Sequence, residues 1–421
     1  MTAMDSLFPG LYVDPPVGPI APRDPLADFA ASETVAGGGQ PKLAFAARWG
    51  KDPEHAWSGS AAGLLRGLRQ VTRVDDIGLH ATGPAWQALR LAYVRRRNGR
   101  FQSNWAHSRA AGIYGGRVLR AHARWRAGAD GYDAVLMAED ALASFPVPSY
   151  IYIDYNWPAM MASCDVPDRF IALQGISKGQ MKRMVTCQRT LFDEATGIFT
   201  ETHWMARCLT SQGLRKSKIQ VIPPGMNTPI DSTESEVRLR ERPRRRLLYV
   251  GRTYQTSDIY RKGGDLVVDA VPILRREFDP ELTLTMAGIS HWPTDMALPD
   301  GVTMLGPQTR AEVRALYHSH DLLVMPSRRE SFGLVFAEAQ ARGLPCVARN
   351  TYAMPEIIVP GLSGALIERS DPRELANAIA TVLADDQIYE NVHERAPRIA
   401  EYFSWQRTAR DITDVITRHL A

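Results

Sequence analysis

Short apolar runs alternate with longer amphipathic stretches along most of the chain. Apolar runs that end in polar or glycine-containing turns predict β-strands at 42–46, 134–137, 150–153, 247–250, 282–288, 302–306 and 322–325. Apolar residues that recur at helical spacing predict helices at 61–71, 265–276, 372–383 and 404–420. Because strands that alternate with helices form parallel sheets, the pattern predicts an α/β fold.

The length of the chain predicts two domains. Its 421 residues, 45% of them hydrophobic, exceed what one core usually supports, so we expect domains of about 200 residues each. The proline-rich residues 1–41 predict an extended arm, because proline interrupts helices and central strands. The polar and charged residues 229–245 predict an interdomain linker. The two domains are then expected at 42–228 and 246–403.

The sequence predicts a cytoplasmic protein without a metal site. No apolar run approaches the roughly 20 residues that a membrane-spanning helix needs, and the N-terminus lacks a basic-then-apolar signal pattern. The cysteines form no C-x-x-C pair and have no metal-ligand spacing with histidine. A D-x-D motif is also missing from the sequence.

The turn after the strand at 322–325 carries the candidate chemistry. Pro326 ends the strand, Glu330 lies in the turn, and Glu338 lies on the helix that follows. The first turn of a helix favours an anion such as a pyrophosphate, and Glu338 lies within roughly 10 Å of that position. The two carboxylates could therefore reach hydroxyls on both sides of a bound pyrophosphate, as a nucleotide sugar requires.

This segment resembles a known enzyme family. Glu330, a seven-residue gap and Glu338, with the residues SFGL between them, resemble the E-x7-E signature of retaining glycosyltransferases of family GT4. The following segment is also similar to that family: GLPCVARNTYAMPEIIVPGLSGALIE. The resemblance implies the GT-B fold, with two Rossmann-like doubly wound domains facing across a cleft. It also implies an acceptor domain at 42–228, completed by helix 404–421, and a nucleotide-sugar domain at 246–403. Residues 195–204 resemble the end of the family's first domain, which implies a strand at 197–200 and a helix at 202–209.

The resemblance implies roles for charged residues of the second domain. Arg252, after a predicted strand, and Lys262, ten residues later, resemble the family's Arg and Lys that hold the donor diphosphate. An enlarged loop is expected over 253–260, which makes Arg261 the alternative to Lys262. Glu330 would bind the sugar hydroxyls and nearby backbone N–H groups, and Glu338 would hold the ribose. The other donor-binding residues implied in this turn are Ser331, Phe332, Gly333 and Leu334.

Three further positions are candidates for substrate contact. The loop Ser58, Gly59 and Ser60 is similar to a glycine-rich loop of the family, although an ordinary turn would give the same residues. Leu305 and Gly306 end a predicted strand and are candidates for base recognition. Asp154 stands where relatives carry a histidine that contacts the donor sugar. It is therefore either a catalytic residue or an ordinary turn aspartate.

Positive charge is concentrated in the first domain. Residues 77–129 contain no acidic residue, yet the whole chain has a net charge of only +4. Three interpretations stay open: a solvated helical face, contact with an anionic membrane through the 90–126 region at its inner face, or a site for an acidic acceptor. Nucleic acid is not expected, because no recognised nucleic-acid motif accompanies the charge. The arginines are Arg90, Arg95, Arg96, Arg97, Arg100, Arg109, Arg117, Arg120, Arg124 and Arg126.

The reaction that the resemblance implies is retaining, metal-independent transfer from a nucleotide-diphosphate sugar. No cofactor other than this donor is expected. The acceptor could be a sugar, a lipid-linked molecule or a small molecule. Two alternatives share the fold: a sugar-nucleotide epimerase or phosphorylase, and a non-catalytic scaffold at a membrane surface.

Overall fold

The computed structural model describes residues 21–27, 29, 40–49, 53–97, 100–103, 105–128, 131–139, 143–162, 176–228, 230, 237, 239–253, 256–290, 292 and 297–421. Most of the predicted arm at 1–41 lies outside these residues. The described residues of Ser32–Gly225 and Trp405–Ala421 form a first unit. Those of Val17–Ala31 and Met226–Ser404 form a second unit.

The first unit is built on a six-stranded parallel sheet with the order β10-β9-β8-β7-β1-β3. Its strands are β1 (Lys42–Ala46), β2 (Arg48–Trp49), β3 (Arg73–Asp76), β4 (Leu79–His80), β5 (Val94–Arg97), β6 (Arg100–Ser103), β7 (Ala134–Ala138), β8 (Ser149–Ile153), β9 (Gly197–Thr200) and β10 (Ile219–Val221). Its helices are α1 (Ser60–Val71), α2 (Pro84–Ala92), α3 (Arg109–Ala127), α4 (Trp157–Ala162), α5 (Lys178–Glu194) and α6 (His203–Ser211).

The second unit also has a six-stranded parallel sheet, with the order β13-β12-β11-β14-β15-β16. Its strands are β11 (Arg246–Thr253), β12 (Thr283–Ile289), β13 (Val302–Gly306), β14 (Leu322–Val324), β15 (Cys346–Arg349) and β16 (Gly364–Ile367). Its helices are α7 (Thr256–Arg261), α8 (Gly264–Glu277), α9 (Arg310–Ser319), α10 (Leu334–Gln340), α11 (Pro372–Ala384) and α12 (Asp386–Tyr402). The last helix of the chain, α13 (Trp405–Leu420), belongs to the first unit.

The central strands are buried along their whole length, which explains their continuous apolar runs. Every residue of β7 and of β8 is buried. Helices cover both faces of a parallel sheet, so such strands have no polar face. The predicted α/β class is therefore confirmed in both units.

The structure differs from the sequence prediction over 253–260, where an enlarged loop was expected. The short helix α7 begins at Thr256 within this segment. Ile259 is fully buried, and Arg261 pairs with Asp258 one turn earlier at 3.2 Å. One buried apolar residue and one ion pair across a turn are local contacts that stabilise a helical turn.

The first unit depends on close contact between α1 and α13. A Cβ at Gly63 would lie 2.2 Å from the indole Nε1 of Trp405. At Gly67, one turn later, it would lie 2.3 Å from the carbonyl oxygen of the same tryptophan. Glycine is therefore required at both positions, because any larger residue would push the last helix away from the sheet.

None of the described helices is both long enough and apolar enough to cross a lipid bilayer.

Replacing Gly63 with alanine should lower the free energy of unfolding by about 1–3 kcal/mol, because the added methyl group overpacks the contact with Trp405. The matched control is Gly112→Ala in α3, where an added Cβ would meet nothing within 4 Å. That control should be neutral or stabilising by up to about 1 kcal/mol, because alanine favours helix. Thermal unfolding followed by circular dichroism measures both. Equal melting temperatures for the two variants would contradict the assigned packing.

Candidate functional site

Two segments of the second unit meet at the carboxyl edge of its sheet. Strands β11 and β14 are parallel neighbours, with Leu247 opposite Leu322. Because parallel neighbours end at the same edge, the residues that follow them lie close together, and this edge is where open α/β sheets bind ligands. Arg252 lies near the end of β11 and is exposed, and Glu330 follows β14.

Lys262 and Glu330 form a largely buried ion pair at this edge. The Nζ of Lys262 lies 3.0 Å from Oε2 of Glu330, and the two side chains are 16% and 11% exposed. Ser327 donates from its hydroxyl to the same oxygen at 3.3 Å. Burial opposes ionisation, but the charges of Lys262 and Arg261 and these hydrogen bonds hold the pKa of Glu330 below its ordinary value. The structure therefore favours Lys262 over Arg261 as the cation beside Glu330, since the guanidinium of Arg261 is bonded to Asp258.

The two segments are in close backbone contact at Gly263. Gly263 has φ +71°, and a Cβ there would lie 2.4 Å from the carbonyl oxygen of Pro326. The backbone N–H of Arg328 donates to the carbonyl of Arg261 at 2.8 Å. The guanidinium of Arg328 donates to both carboxylate oxygens of Asp265, at 2.7 and 2.8 Å. These contacts fix the geometry in which Lys262 and Glu330 meet.

Glu338 lies deeper than its predicted role as a ribose ligand requires. The residue is 6% exposed, and its two oxygens accept from the Thr228 N–H and the Tyr317 hydroxyl, each at 3.1 Å. Burial raises the pKa of Glu338, although these hydrogen bonds and Arg342 oppose the rise. Both carboxylate oxygens of Glu338 thus already accept hydrogen bonds from within the protein. Contact with a ribose stays a prediction.

The residues that lead into α10 offer backbone groups more than side chains. Phe332 is 4% exposed and packs edge-to-face on Phe403, with ring centroids 5.8 Å apart. Gly333 has φ +92°, and a Cβ there would lie 2.7 Å from the Phe336 ring. Ser331 and Leu334 are half-buried. A ligand here would meet the backbone N–H groups at the start of a helix.

The residues predicted to recognise the base end β13, an edge strand two places from β11. Leu305 is 40% exposed. At Gly306, where φ is +70°, an added Cβ would meet nothing within 4 Å. The backbone at this position is therefore open, and its contact with a base stays a prediction.

In the first unit, the loop before α1 has a strained backbone. Trp57, Ser58 and Gly59 have φ values of +47°, +57° and +99°, and α1 begins at Ser60. Two consecutive non-glycine residues in the left-handed region are costly and persist only where neighbours impose them. The Trp57 ring packs against Tyr152 with centroids 5.7 Å apart. Ser58 is exposed and Ser60 is buried, and contact of this loop with a substrate stays a prediction.

Carboxyl groups follow three adjacent strands of the first unit. Glu139 follows β7, the predicted site residue Asp154 follows β8, and Glu201 follows β9. Glu201 is 4% exposed, and its Oε1 is buried with no hydrogen-bond partner among the described residues. Burial, followed by the charges of Asp154 and Glu139, raises the pKa of Glu201 well above its ordinary value. Both effects favour the neutral, protonated form of Glu201 over the carboxylate.

Glu201 was not among the predicted site residues, although the sequence contains a signal for it. The residue follows a predicted strand directly, as Asp154 does. Strand order alone makes the two neighbours, because β8 pairs with β9 in parallel. Over the described ranges, no group of three or more His, Cys, Asp or Glu side chains is placed to hold a metal ion.

Comparison with solved structures establishes the class of fold. Sucrose-phosphate synthase from Thermosynechococcus elongatus superposes with a TM-score of 0.62 at 17% identity, over 90% of this chain and 99% of that chain. WaaG, a glycosyltransferase involved in lipopolysaccharide biosynthesis, gives a TM-score of 0.60 at 16% identity, over 89% and 99%. At these identities the likeness concerns the fold alone. The predicted GT-B fold is confirmed.

Part of the chain is similar in sequence to known glycosyltransferases. Residues 232–399, which include Arg252, Lys262, Glu330 and Glu338, match the family described as "Glycosyl transferases group 1". D-inositol 3-phosphate glycosyltransferase of Paenarthrobacter aurescens (strain TC1) is 32% identical over 57% of this chain and 61% of that protein. Its namesake in Corynebacterium jeikeium (strain K411) is 30% identical over 53% and 57%. These matches span under two thirds of the relatives' length. Residues 232–399 are thus similar to group 1 glycosyltransferases, and the predicted resemblance to the GT4 glycosyltransferases is confirmed over this segment.

The raised pKa of Glu201 predicts a pH-dependent cost to stability. Because the folded pKa exceeds the unfolded value of about 4.3, the wild type should lose stability as pH rises above that value, by up to about 1.4 kcal/mol per pH unit. Glu201→Gln keeps the shape and cannot ionise. Its melting temperature relative to wild type should therefore rise as pH increases from 4 to 8.

The matched control is Glu194→Gln, an exposed carboxyl at the end of α5. Its melting curve should follow that of the wild type across the same range. If the melting temperatures of Glu201→Gln and the wild type instead change in parallel with pH, the pKa of Glu201 is not raised in the folded protein.

Proposed function

We propose that the protein transfers a sugar from a nucleotide-diphosphate sugar to an acceptor hydroxyl, with retention of the anomeric configuration. The observation that carries this proposal is the buried Lys262–Glu330 pair at the carboxyl edge of the second sheet, inside the segment that matches the family. A cation and a carboxylate held side by side suit a ligand that carries phosphate next to sugar hydroxyls.

In the proposed complex, the second unit binds the donor. Arg252 and Lys262 hold the diphosphate, and Glu330 accepts hydrogen bonds from the sugar hydroxyls. Backbone N–H groups at the start of α10 add donors for the same oxygens. Leu305 and Gly306 contact the base, and Glu338 binds the ribose or positions the residues around it.

The proposed chemistry needs stabilised charge on the leaving diphosphate. As the bond between the anomeric carbon and the phosphate oxygen breaks, negative charge grows on the diphosphate, and Arg252 and Lys262 stabilise it. The acceptor oxygen then bonds to the same face of the sugar, and its proton passes to the departing phosphate. The first unit binds the acceptor, and Asp154 and Glu201 orient it. No metal ion takes part in the proposed reaction.

Known relatives indicate which donors and acceptors to test first. An Anabaena protein with this fold has been crystallised in complex with UDP-glucose, and the names of the relatives in Paenarthrobacter and Corynebacterium specify D-inositol 3-phosphate. UDP-sugars are therefore the first donors, and phosphorylated polyols are among the first acceptors.

Nucleotide binding tests the donor site directly. In a thermal-shift panel of UDP, GDP, ADP and TDP, one nucleotide should stabilise the protein by mass action. Lys262→Met and Glu330→Gln should each weaken the binding of that nucleotide or of its sugar conjugate by about tenfold or more, because each removes a charged group that contacts the ligand. Arg261→Gln is the matched control, since this neighbouring cation is bonded to Asp258, and it should have a smaller effect.

Product analysis with the same donor distinguishes the reaction classes. Transfer predicts a new glycoside only when an acceptor is added. A product formed without acceptor sugar, alcohol or lipid would favour an epimerase or phosphorylase. Unchanged nucleotide affinity and activity in Glu330→Gln would remove the proposed donor site.

We also propose peripheral contact with anionic membranes through the arginine-rich 90–126 region. Trp125 in α3 is 79% exposed with the Arg126 guanidinium 5.6 Å from its ring, and Leu91 in α2 is 73% exposed. Exposed apolar side chains beside arginines suit the interface of an anionic bilayer.

Trp125→Ala should reduce co-sedimentation with anionic liposomes several-fold, because it removes an apolar anchor at the interface. Binding should also fall with added salt, which screens the arginines. The control is Tyr260→Ala, which removes an exposed aromatic side chain of the second unit. If liposome binding depends neither on lipid charge nor on salt concentration, the proposed membrane contact is wrong.

A further inference from the structure

The first unit contains a cavity between α3 and α5. Its volume is about 820 Å³. Arg48, Ser144 and Trp157 on its wall follow β1, β7 and β8, which are consecutive in the sheet. The loops after adjacent parallel strands converge at the carboxyl edge, which is where α/β sheets bind ligands. Cavities of this size hold molecules much larger than a single phosphate group.

The cavity wall is strongly basic. Four arginines line it: Arg48, Arg109, Arg120 and Arg183. Only one acidic residue, Glu194, lies among the lining residues that the structure describes. Arg109 and Arg120 come from the arginine-rich stretch, so part of its charge lines a cavity instead of a flat surface. Guanidinium groups on several sides of one space suit phosphate oxygens, which they bind with paired hydrogen bonds.

The wall between the arginines is apolar and open. Ile113 of α3 and Met184 and Leu191 of α5 contribute hydrophobic surface. Gly112 and Gly116 lie one turn apart on α3, and a Cβ at Gly112 would meet nothing within 4 Å. The lack of side chains at these two positions leaves space along the helix. If only an ion were bound, this apolar surface would stay in contact with water.

We propose that this cavity binds the acceptor, and that the acceptor is an anionic amphiphile in which a phosphate or diphosphate ester carries an apolar group. The arginines hold the phosphate oxygens, and the apolar group lies along Gly112, Ile113 and Leu191. The assignment as acceptor rests on the proposed transfer reaction. The binding itself does not depend on it.

Calorimetry on the full chain with three probes tests the binding. Octyl phosphate below its micelle concentration should bind, inorganic phosphate should bind at least tenfold more weakly, and octyl glucoside should not bind measurably. Arg120→Gln and Arg183→Gln should each lower the affinity for octyl phosphate about tenfold, because each removes one charge-assisted hydrogen bond. Arg117→Gln and Arg124→Gln are matched controls, because both arginines lie on α3, are exposed and are absent from the wall.

A second variant separates the two parts of the ligand. Gly112→Leu should abolish the advantage of octyl phosphate over inorganic phosphate, because it fills the apolar space and leaves every arginine in place. If the wild type binds octyl phosphate and inorganic phosphate with equal affinity, the ligand is not an amphiphile. If the control variants and the cavity variants lose equal affinity for octyl phosphate, the cavity is not the binding site. If octyl phosphate fails to bind while a nucleoside diphosphate still stabilises the protein, this inference fails and the proposed function stands. Octyl phosphate binding without nucleotide binding leaves the cavity intact and overturns the proposed transfer.

Discussion

The ion pair between Lys262 and Glu330 is the constraint on which the candidate donor site depends. Both side chains are largely removed from water, and desolvation of either charge alone would cost several kcal/mol. The pair is retained because two parallel strand ends bring the charges together, and because Gly263 allows the backbone of one turn to approach the other. A ligand that carries both phosphate and hydroxyl groups can replace the bonds that the two side chains now give each other.

The first unit distributes its charge differently. Its carboxyl groups follow β7, β8 and β9, whereas arginines from α3 and α5 surround a cavity beside them. Burial and the charges of Asp154 and Glu139 raise the pKa of Glu201, whereas the charges of Lys262 and Arg261 hold the pKa of Glu330 below its ordinary value. Two glutamates that each follow a parallel strand thus have pKa values shifted in opposite directions by their charged neighbours.

Local pattern predicted the central strands of both sheets but did not predict the long helices α5 and α12. The strands at 42–46 and 302–306 have the predicted bounds, because apolar runs between turn residues are the direct requirement of a buried parallel strand. The segment 253–260 was mispredicted because a short polar helix is stabilised by one buried isoleucine and one ion pair, neither of which produces a periodic pattern. The sequence motif also located Lys262 and Glu330. It could not show that Glu338 is buried against Thr228 and Tyr317, since these residues are distant in sequence.

The sequence by itself determined the α/β class, the central strands and the resemblance to glycosyltransferases, because hydrophobic period and short motifs are local properties of the chain. Tertiary structure alone decided which charges meet. Lys262 pairs with Glu330 across 68 residues, and Asp154 and Glu201 become neighbours only through the pairing of β8 with β9. The order of strands in a sheet follows from long-range packing, and the ionisation of a side chain follows from the charges and burial that this packing gives it.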